Sequence, residues 1–504
     1  MAEPPVSNLY QAFRRRFPAG TTKVLLTTDG GEVFSYDDAQ HKSAQVANCL
    51  VAAGLVPGDR LTVQVEKSPA LLWLYLGALR AGLTFHPLNT AYTTDELRYF
   101  LADARPAMVI CDDSKRASFA TLCAQTGVPA LRTLNADGSG SFAQEASRHS
   151  REFATVQTAA DDLAALLYSS GTTGRPKGIM LSHGNLMVNA QVLTDCWGFS
   201  ADDCLLHALP VFHVHGLFVA IGCVLMSGAS MCWLAKFDVA AVMRHLPRCT
   251  VMMGVPTYYT RLLAEPAFGA QSCDTVRLFI SGSAPLHSDT FREFERRTGK
   301  AILERYGMTE TGINTSNPLH GERRAGTVGF PLPGVELRIA GADNRALPPE
   351  AVGDIQVRGQ NVFAGYWNLP DKTAQDFTGD GFFITGDKGQ LDSDGYVSIV
   401  GRSKDLIITG GLNVYPREVE LLIDELAGVV ESAVIGIPHP YFGEAVIAVV
   451  VREAHATVSE GDVIAHARAS VANYKVPKRV VFVDQLPRNT MGKVQKNLLR
   501  ESCS

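Results

Sequence analysis

Long apolar runs are missing: no stretch of the 504 residues is long and apolar enough to span a bilayer as a helix. Paired cysteines are missing too. The ten cysteines are scattered without a single C-x-x-C, which argues against a structural zinc site or a disulfide framework and for a reducing compartment. Charge of one sign is scarce. A net −5 gives no general attraction for nucleic acid or an anionic membrane, so neither is expected as a partner. The N-terminus, MAEPPVSNLYQAFRRRF, has no apolar signal core. Its shortness and Glu3 argue against a transit peptide, and Arg14 to Arg16 read as the basic face of a helix, so the cytoplasm is the expected location. With 46% hydrophobic and 19% charged residues the composition is otherwise that of an ordinary globular protein. The length exceeds what one core supports, so at least two domains are expected.

The most informative stretch, Tyr168 to Gly178, reads YSSGTTGRPKG, and the apolar run Leu163 to Leu167 leads into it as a buried strand. Ser169, Ser170, Thr172 and Thr173 supply hydroxyls. Gly171 and Gly174 let the backbone turn and bring its N–H groups close to a ligand. Lys177 adds a point charge suited to phosphate. Such a loop suits a polyphosphate. It is not a Walker A loop, in which a hydroxyl follows the lysine and meets Mg²⁺, because Gly178 and Ile179 follow Lys177. Nor does it carry G-x-G-x-x-G. The bland alternative is a flexible Ser/Thr/Gly surface loop.

Residues 1 to about 160 alternate strand-like runs (Leu61 to Val65, Ala107 to Cys111) with helical patterns (Leu71 to Leu79), the βαβ rhythm of a layered α/β domain. In HALPVFHVHG a strand is predicted to end at Pro210. His213 and His215 follow without an acidic or cysteine ligand nearby, so a metal there is not expected. Pro256 opens a helix in VMMGVPTYYTRLL, with Thr257 and Arg261 on one face. Predicted strands Val276 to Ile280 and Ile302 to Tyr306 end in SGSAPL and GMTET. Two such ends, rich in small and hydroxyl residues, make a crevice at the carboxyl edge of a sheet, where α/β folds bind ligands. From Gly353 short alternating strands with Asp-Gly turns suggest a β subdomain. Gly410, Gly411 and Pro416 punctuate a boundary. Beyond it come a helix (Pro416 to Leu426) and strands (Val429 to Ile437, Ala445 to Val451) of a small domain.

YSSGTTGRPKG, LPVFHVHG, YGMTE, TGD, GRSKD and PRNTMGKVQK follow one another in that order, and with them the chain resembles the adenylate-forming superfamily, acyl-CoA synthetases above all. The stretches GVPTYYTRLL, LFISGSAPL, RYGMTETGINTSNP and LPRNTMGKVQKN are similar to the bacterial malonyl-CoA synthetase subfamily. The resemblance implies an α/β fold: a large N-terminal domain of layered βαβ sheets plus a β subdomain (1–402), and a small mobile α+β C-terminal domain (403–504). It implies a ligase using ATP, Mg²⁺ and coenzyme A. A substrate carboxylate attacks the α-phosphorus of ATP and expels pyrophosphate; coenzyme A thiolate then displaces AMP. Positioning and charge neutralisation carry such chemistry.

By the same resemblance, Ser169, Ser170, Gly171, Thr172, Thr173, Gly174 and Lys177 would hold the phosphates. Thr309 would meet the α-phosphate, and Glu310 with Thr172 would hold Mg²⁺. Gly282, Ser283, Ala284 and Pro285, with Glu304, Arg305, Tyr306, Gly307 and Met308, would frame the adenine. Asp387, helped by Arg402, would accept the ribose hydroxyls. Lys493 would enter as the catalytic cation of adenylation, Lys404 would be the hinge, and Gly410, Gly411 and Leu412 would line the pantetheine tunnel. The implied small-molecule substrate is malonate. Its free carboxylate calls for a cation, and Arg261, a charge inside an apolar segment, can grip a carboxylate with two parallel bonds. His213, Ser281 and Met308 would complete the acyl pocket. The alternatives are an Arg261 that faces solvent or pairs with Glu265, a synthetase for methylmalonate or another short acid, and an inactive nucleotide-binding protein. Lys493, in a glycine-flanked loop, is also a target for a lysine acetyltransferase and deacetylase, since acetylation removes its charge.

Overall fold

A computed structural model of the chain describes residues 7–19, 22–168, 176–409, 412–440, 442–489 and 492–503. The N-terminal helix Leu9–Arg16 starts where the Asn8 side chain accepts from Tyr10 N, and it buries Leu9, Tyr10 and Phe13 while its arginines stay outside. Helix Pro69–Arg80 begins with proline at its first turn and a Ser68 cap, and Leu71 to Arg80 are all buried.

Among the described residues the strands form four sheets. In one, Leu163–Tyr168, Thr84–Pro87, Arg60–Gln64, Met108–Cys111 and Leu131–Thr133 run parallel, with Gly178–Ser182 and Gly365–Tyr366 added antiparallel at one edge. In the second, Leu303–Met308, Leu278–Ser281, Val251–Gly254, Cys204–His207, Ser230–Trp233 and Val24–Thr28 are parallel neighbours, with antiparallel strands at both ends. Parallel strands covered on both faces read as near-continuous apolar runs, as these do. Alternation splits strand Cys204–His207 between two cores: Leu205 joins the core shared with the first sheet, and Leu206 joins a second one with Tyr259, Leu262, Phe291 and Phe294 of helices Pro256–Leu263 and Ser288–Thr298.

The expected β subdomain is an antiparallel sheet of Val335–Ala340, Gly353–Gly359, Phe383–Leu391 and Val397–Arg402. A single 3₁₀ turn, Ser403–Asp405, leads from its last strand to Ile407–Thr409, the start of the last sheet. That sheet pairs Gly443–Arg452 with Val429–His439 on one side and Arg479–Val483 on the other, and buries separate apolar clusters of its own. One expected strand end is corrected. The strand before the histidines stops at His207, not Pro210, because the chain then folds back into a π-helical turn, His215–Ala220. A Cβ on Gly216 would fall 2.0 Å from the Pro210 carbonyl oxygen, so glycine is required there. No helix among the described residues is long and apolar enough to cross a membrane.

Candidate active site

Two neighbouring strand ends build the floor of the site. Leu278–Ser281 and Leu303–Met308 run parallel with Ser281 opposite Glu304. Ser283, just past the first strand, is held in the left-handed region at φ 71°, a conformation that costs free energy and clusters at ligand sites. The second strand turns back on itself after Gly307, where a Cβ would meet Gly312 O at 2.0 Å. Thr309 and Glu310 sit at the tip of that hairpin, and Phe363 N donates to the Glu310 carbonyl at 2.8 Å. The β subdomain supplies Asp387. Tyr306 donates its hydroxyl hydrogen to Asp387 Oδ2 at 2.6 Å, and Arg402 Nε lies 3.0 Å from Oδ1.

Electrostatics converge on the same place. Glu310 is buried, and burial raises its pKa against the opposing pull of Lys177, Arg402 and Lys493. Lys177 is lowered by burial, opposed by Asp376 and Glu310, and its ammonium lies 4.1 Å from the centre of the Tyr366 ring. Lys493 comes from the C-terminal domain. Its side chain is reached by solvent along the open cleft, but protein surrounds its ammonium, and burial and the Arg402 charge push it down to about 8 while Asp387 and Glu310 resist. Glu304 is raised to about 8 by burial, and its Oε1 has no hydrogen-bond partner among the described residues. Glu310, a buried carboxylate facing three cations, suits a polyphosphate with its Mg²⁺, an ion commonly held by one or two protein carboxylates plus phosphates.

The acyl side is less complete. His213 is half-buried, and burial followed by the Lys493 charge push it down to about 3, so it is a neutral imidazole. His213 Nε2 and Ser281 Oγ are buried without partners among the described residues. Unpaired buried polar atoms are expensive. Met308 is half-buried against the large core. Beside the histidine loop a cavity of about 230 Å³ is lined by Pro210, Phe212, Phe237 and Tyr258.

Two expectations are corrected. Arg261 lies on the expected helix, Pro256–Leu263, but is exposed, because Tyr259 and Leu262 take the inward face; its guanidinium sits 4.8 Å from the Phe237 ring centre. Arg305 does not share the face of Glu304 and Tyr306. Alternation along the strand turns it the other way, towards Tyr259, Cys223 and His215. A period-two reading of LERYGM carries that signal. The structure brings together Gly282, Ser283, Ala284, Pro285, Glu304, Tyr306, Gly307, Met308, Thr309, Glu310, Asp387, Arg402 and Lys493 along these strand ends and the facing loop. Ser169, Ser170, Gly171, Thr172, Thr173, Gly174, Gly410 and Gly411 lie outside the described residues. Lys404 and Leu412 are exposed on the two sides of that gap. Sequence reasoning missed Lys67, a buried lysine in the cavity wall that donates to His207 Nδ1 and to the His207 carbonyl, both at 2.8 Å; His207 Nε2 in turn donates to Gly216 O at 2.9 Å and so pins the loop that carries His213. No motif marks it.

The chain belongs to the AMP-binding enzyme family: the family's main domain matches residues 11–367, and its C-terminal domain matches 418–493. It is similar to ATP-bound MatB from Rhodopseudomonas palustris, at 52% identity and a TM-score of 0.97 over 99% of both chains. Against the apo form of that protein the TM-score is 0.86. The malonate–CoA ligase of Arabidopsis thaliana is 34% identical over 89% of this chain and 79% of its own, and a feruloyl-CoA synthase of Amycolatopsis is 36% identical over 94% of each. The fold is therefore the adenylate-forming one, a large α/β domain with a small C-terminal domain, and the chain is an acid–thiol ligase of that family.

Proposed function

We propose that the protein is an ATP-dependent malonate–CoA ligase that makes malonyl-CoA through malonyl-adenylate, releasing pyrophosphate and then AMP. The observation that carries this reading is Lys493 of the C-terminal domain facing Glu310 and Asp387 of the large domain, in a chain alike throughout to MatB. In this reading Lys493 and Lys177 neutralise the departing pyrophosphate. Thr309 contacts the α-phosphate, and Asp387 with Arg402 takes the ribose hydroxyls. Gly282 to Pro285 and Tyr306 frame the base. Ser281, His213 and Met308 face the acid, with Arg261 at the rim.

Mg²⁺ fits the donor set: Glu310, with Thr172, would hold it, and it would offset phosphate charge. The domains divide at 402/403, with Lys404 as pivot. Gly410, Gly411 and Leu412 would line the pantetheine path once the small domain has turned. We assign the protein to the cytoplasm, where a lysine acetyltransferase and deacetylase act on Lys493 once the small domain has turned its ammonium out of the cleft. The test is coenzyme A-dependent AMP release with malonate, methylmalonate, acetate and octanoate, with malonate expected to be fastest. A preference for octanoate or acetate overturns the substrate assignment. Acetylated Lys493 is expected to block adenylation, and full activity of acetylated protein overturns that role.

A further inference from the structure

We propose that Tyr99 is a positioning residue for ATP: its hydroxyl holds the peptide group in front of Lys177 and so sets where that ammonium meets the phosphates. This deepens, and rests on, the reading of Lys177 as a cation for the departing pyrophosphate.

The platform is helix Thr94–Ala104. It begins with a reciprocal cap between Thr93 and Glu96. Its Leu97, Phe100 and Leu101 are buried against Phe119 and Leu122 of helix Arg116–Thr126, in a small core of their own. Residues four apart share one helix face, so Tyr99 and Asp103 project from the same side.

Two paired strands are tied to that face. Leu163–Tyr168 and Gly178–Ser182 run antiparallel with Tyr168 opposite Gly178. The Tyr99 hydroxyl donates to the Pro176 carbonyl at 2.7 Å, and the Tyr168 hydroxyl donates to Asp103 Oδ2 at 2.6 Å. The Pro176 carbonyl belongs to the planar peptide group whose nitrogen is that of Lys177, so a bond to it fixes the plane from which the lysine departs. Tyr99 and Tyr168 also meet edge to face, with ring centres 6.2 Å apart. Burial and the Asp103 bond hold the Tyr168 phenol far above its ordinary range, so it stays a donor.

The same helix end reaches the other side of Lys177. Trp367 Nε1 donates to the Asp103 carbonyl at 3.1 Å, and Trp367 N donates to the Gly178 carbonyl at 2.8 Å. Its neighbour Tyr366 presents the ring that lies 4.1 Å from the Lys177 ammonium, and Asp376 Oδ2 stands 3.9 Å from the same nitrogen. One helix therefore holds both the backbone before the lysine and the ring beneath its head. Lysine is a point charge on a flexible stem, so a fixed start and a fixed rest decide where the charge sits. A misplacement of about 1 Å costs up to roughly 100-fold in rate.

The experiment measures kcat/KM for ATP by malonate-dependent pyrophosphate release, together with the melting temperature, in wild type, Tyr99→Phe, Lys177→Met and the double variant. Tyr99→Phe is expected to lower kcat/KM for ATP roughly tenfold, with the KM for malonate far less affected. In the Lys177→Met background the same change is expected to cost roughly twofold or less, because the two residues act as one unit. Tyr168→Phe removes the second tie and is expected to follow the same pattern; it carries the test if Tyr99→Phe does not fold. An unchanged kcat/KM for ATP overturns the proposal, whatever the melting temperature does. So does an equal fractional loss in both backgrounds, which marks a structural tie only. Wild-type kcat/KM in Lys177→Met instead overturns the reading of Lys177 on which the proposal rests.

Discussion

The Tyr306 hydroxyl donates to Asp387 Oδ2 at 2.6 Å, joining the last parallel strand of the large sheet to the β subdomain. Burial and the Asp387 charge hold the phenol far above its ordinary range, so it stays a donor throughout the working pH range. Arg402 holds the other carboxylate oxygen. Asp387→Asn is expected to raise the ATP KM roughly tenfold or more, because a charged acceptor is lost. Tyr306→Phe is expected to cost about 1.5–3 kcal/mol of stability, the range for a hydrogen bond to a charged group. Initial-rate kinetics and urea unfolding check the two.

Lys493 gives a pH signature. Its ammonium is held down to about 8 by burial and the Arg402 charge. In its proposed role the protonated form offsets charge on the departing pyrophosphate, so kcat/KM for ATP in adenylation is expected to be level below about 8 and to fall above it. Bound ATP adds negative charge and moves the limb of kcat to higher pH. Lys493→Ala is expected to remove the limb and most of the adenylation rate, while thioester formation from supplied malonyl-adenylate survives better. Single-turnover measurements across pH decide it, and equal loss of both half-reactions counts against the role.

Lys404 sits in the one turn, Ser403–Asp405, between the two sheets, where Leu406 N donates to Arg402 O at 3.1 Å. Lys404→Pro fixes φ at the proposed pivot. Adenylation is expected to continue while thioester formation drops, read by pyrophosphate release and by coenzyme A-dependent AMP release from the same preparation. Normal rates for both place the pivot elsewhere.

The domains also meet at His287 and Asp424, with His287 Nδ1 3.2 Å from Asp424 Oδ2 and Arg417 Nη1 at 3.9 Å. Burial raises Asp424 to about 7, with Glu420 and Glu431 adding to it, and burial lowers His287 to about 4. A carboxyl raised in the folded state stabilises when protonated, and that contribution is lost as pH rises through about 7. Asp424→Asn is therefore expected to raise the melting temperature more above pH 7 than below it. Scanning calorimetry at the two pH values checks this, and a gain confined to acid contradicts it.

Much of this was readable in advance because local signals agreed with the fold. Pro69 and Ser68 start a helix whose apolar run has no polar face, and Pro256 and Pro416 open helices at the positions expected. The strand ends at Ser281 and Met308 fell within a few residues of their predicted places. Other features depend on tertiary context. The π-helical turn at His215–Ala220 comes from Gly216 packing on Pro210, and no local propensity encodes it. The outward face of Arg261 is set by which side of a short helix meets Phe291 and Phe294, a choice made far along the chain. Lys67 acts on the histidine loop from 140 residues away, a pairing that sequence spacing does not reveal.

The most direct test of the central claim is isotope exchange between pyrophosphate and ATP with malonate present and coenzyme A absent. Reversible formation of malonyl-adenylate predicts exchange that requires malonate and Mg²⁺, needs no coenzyme A, and disappears in Lys493→Ala. No malonate-dependent exchange from wild-type protein that supports exchange with a monocarboxylic acid would contradict the account.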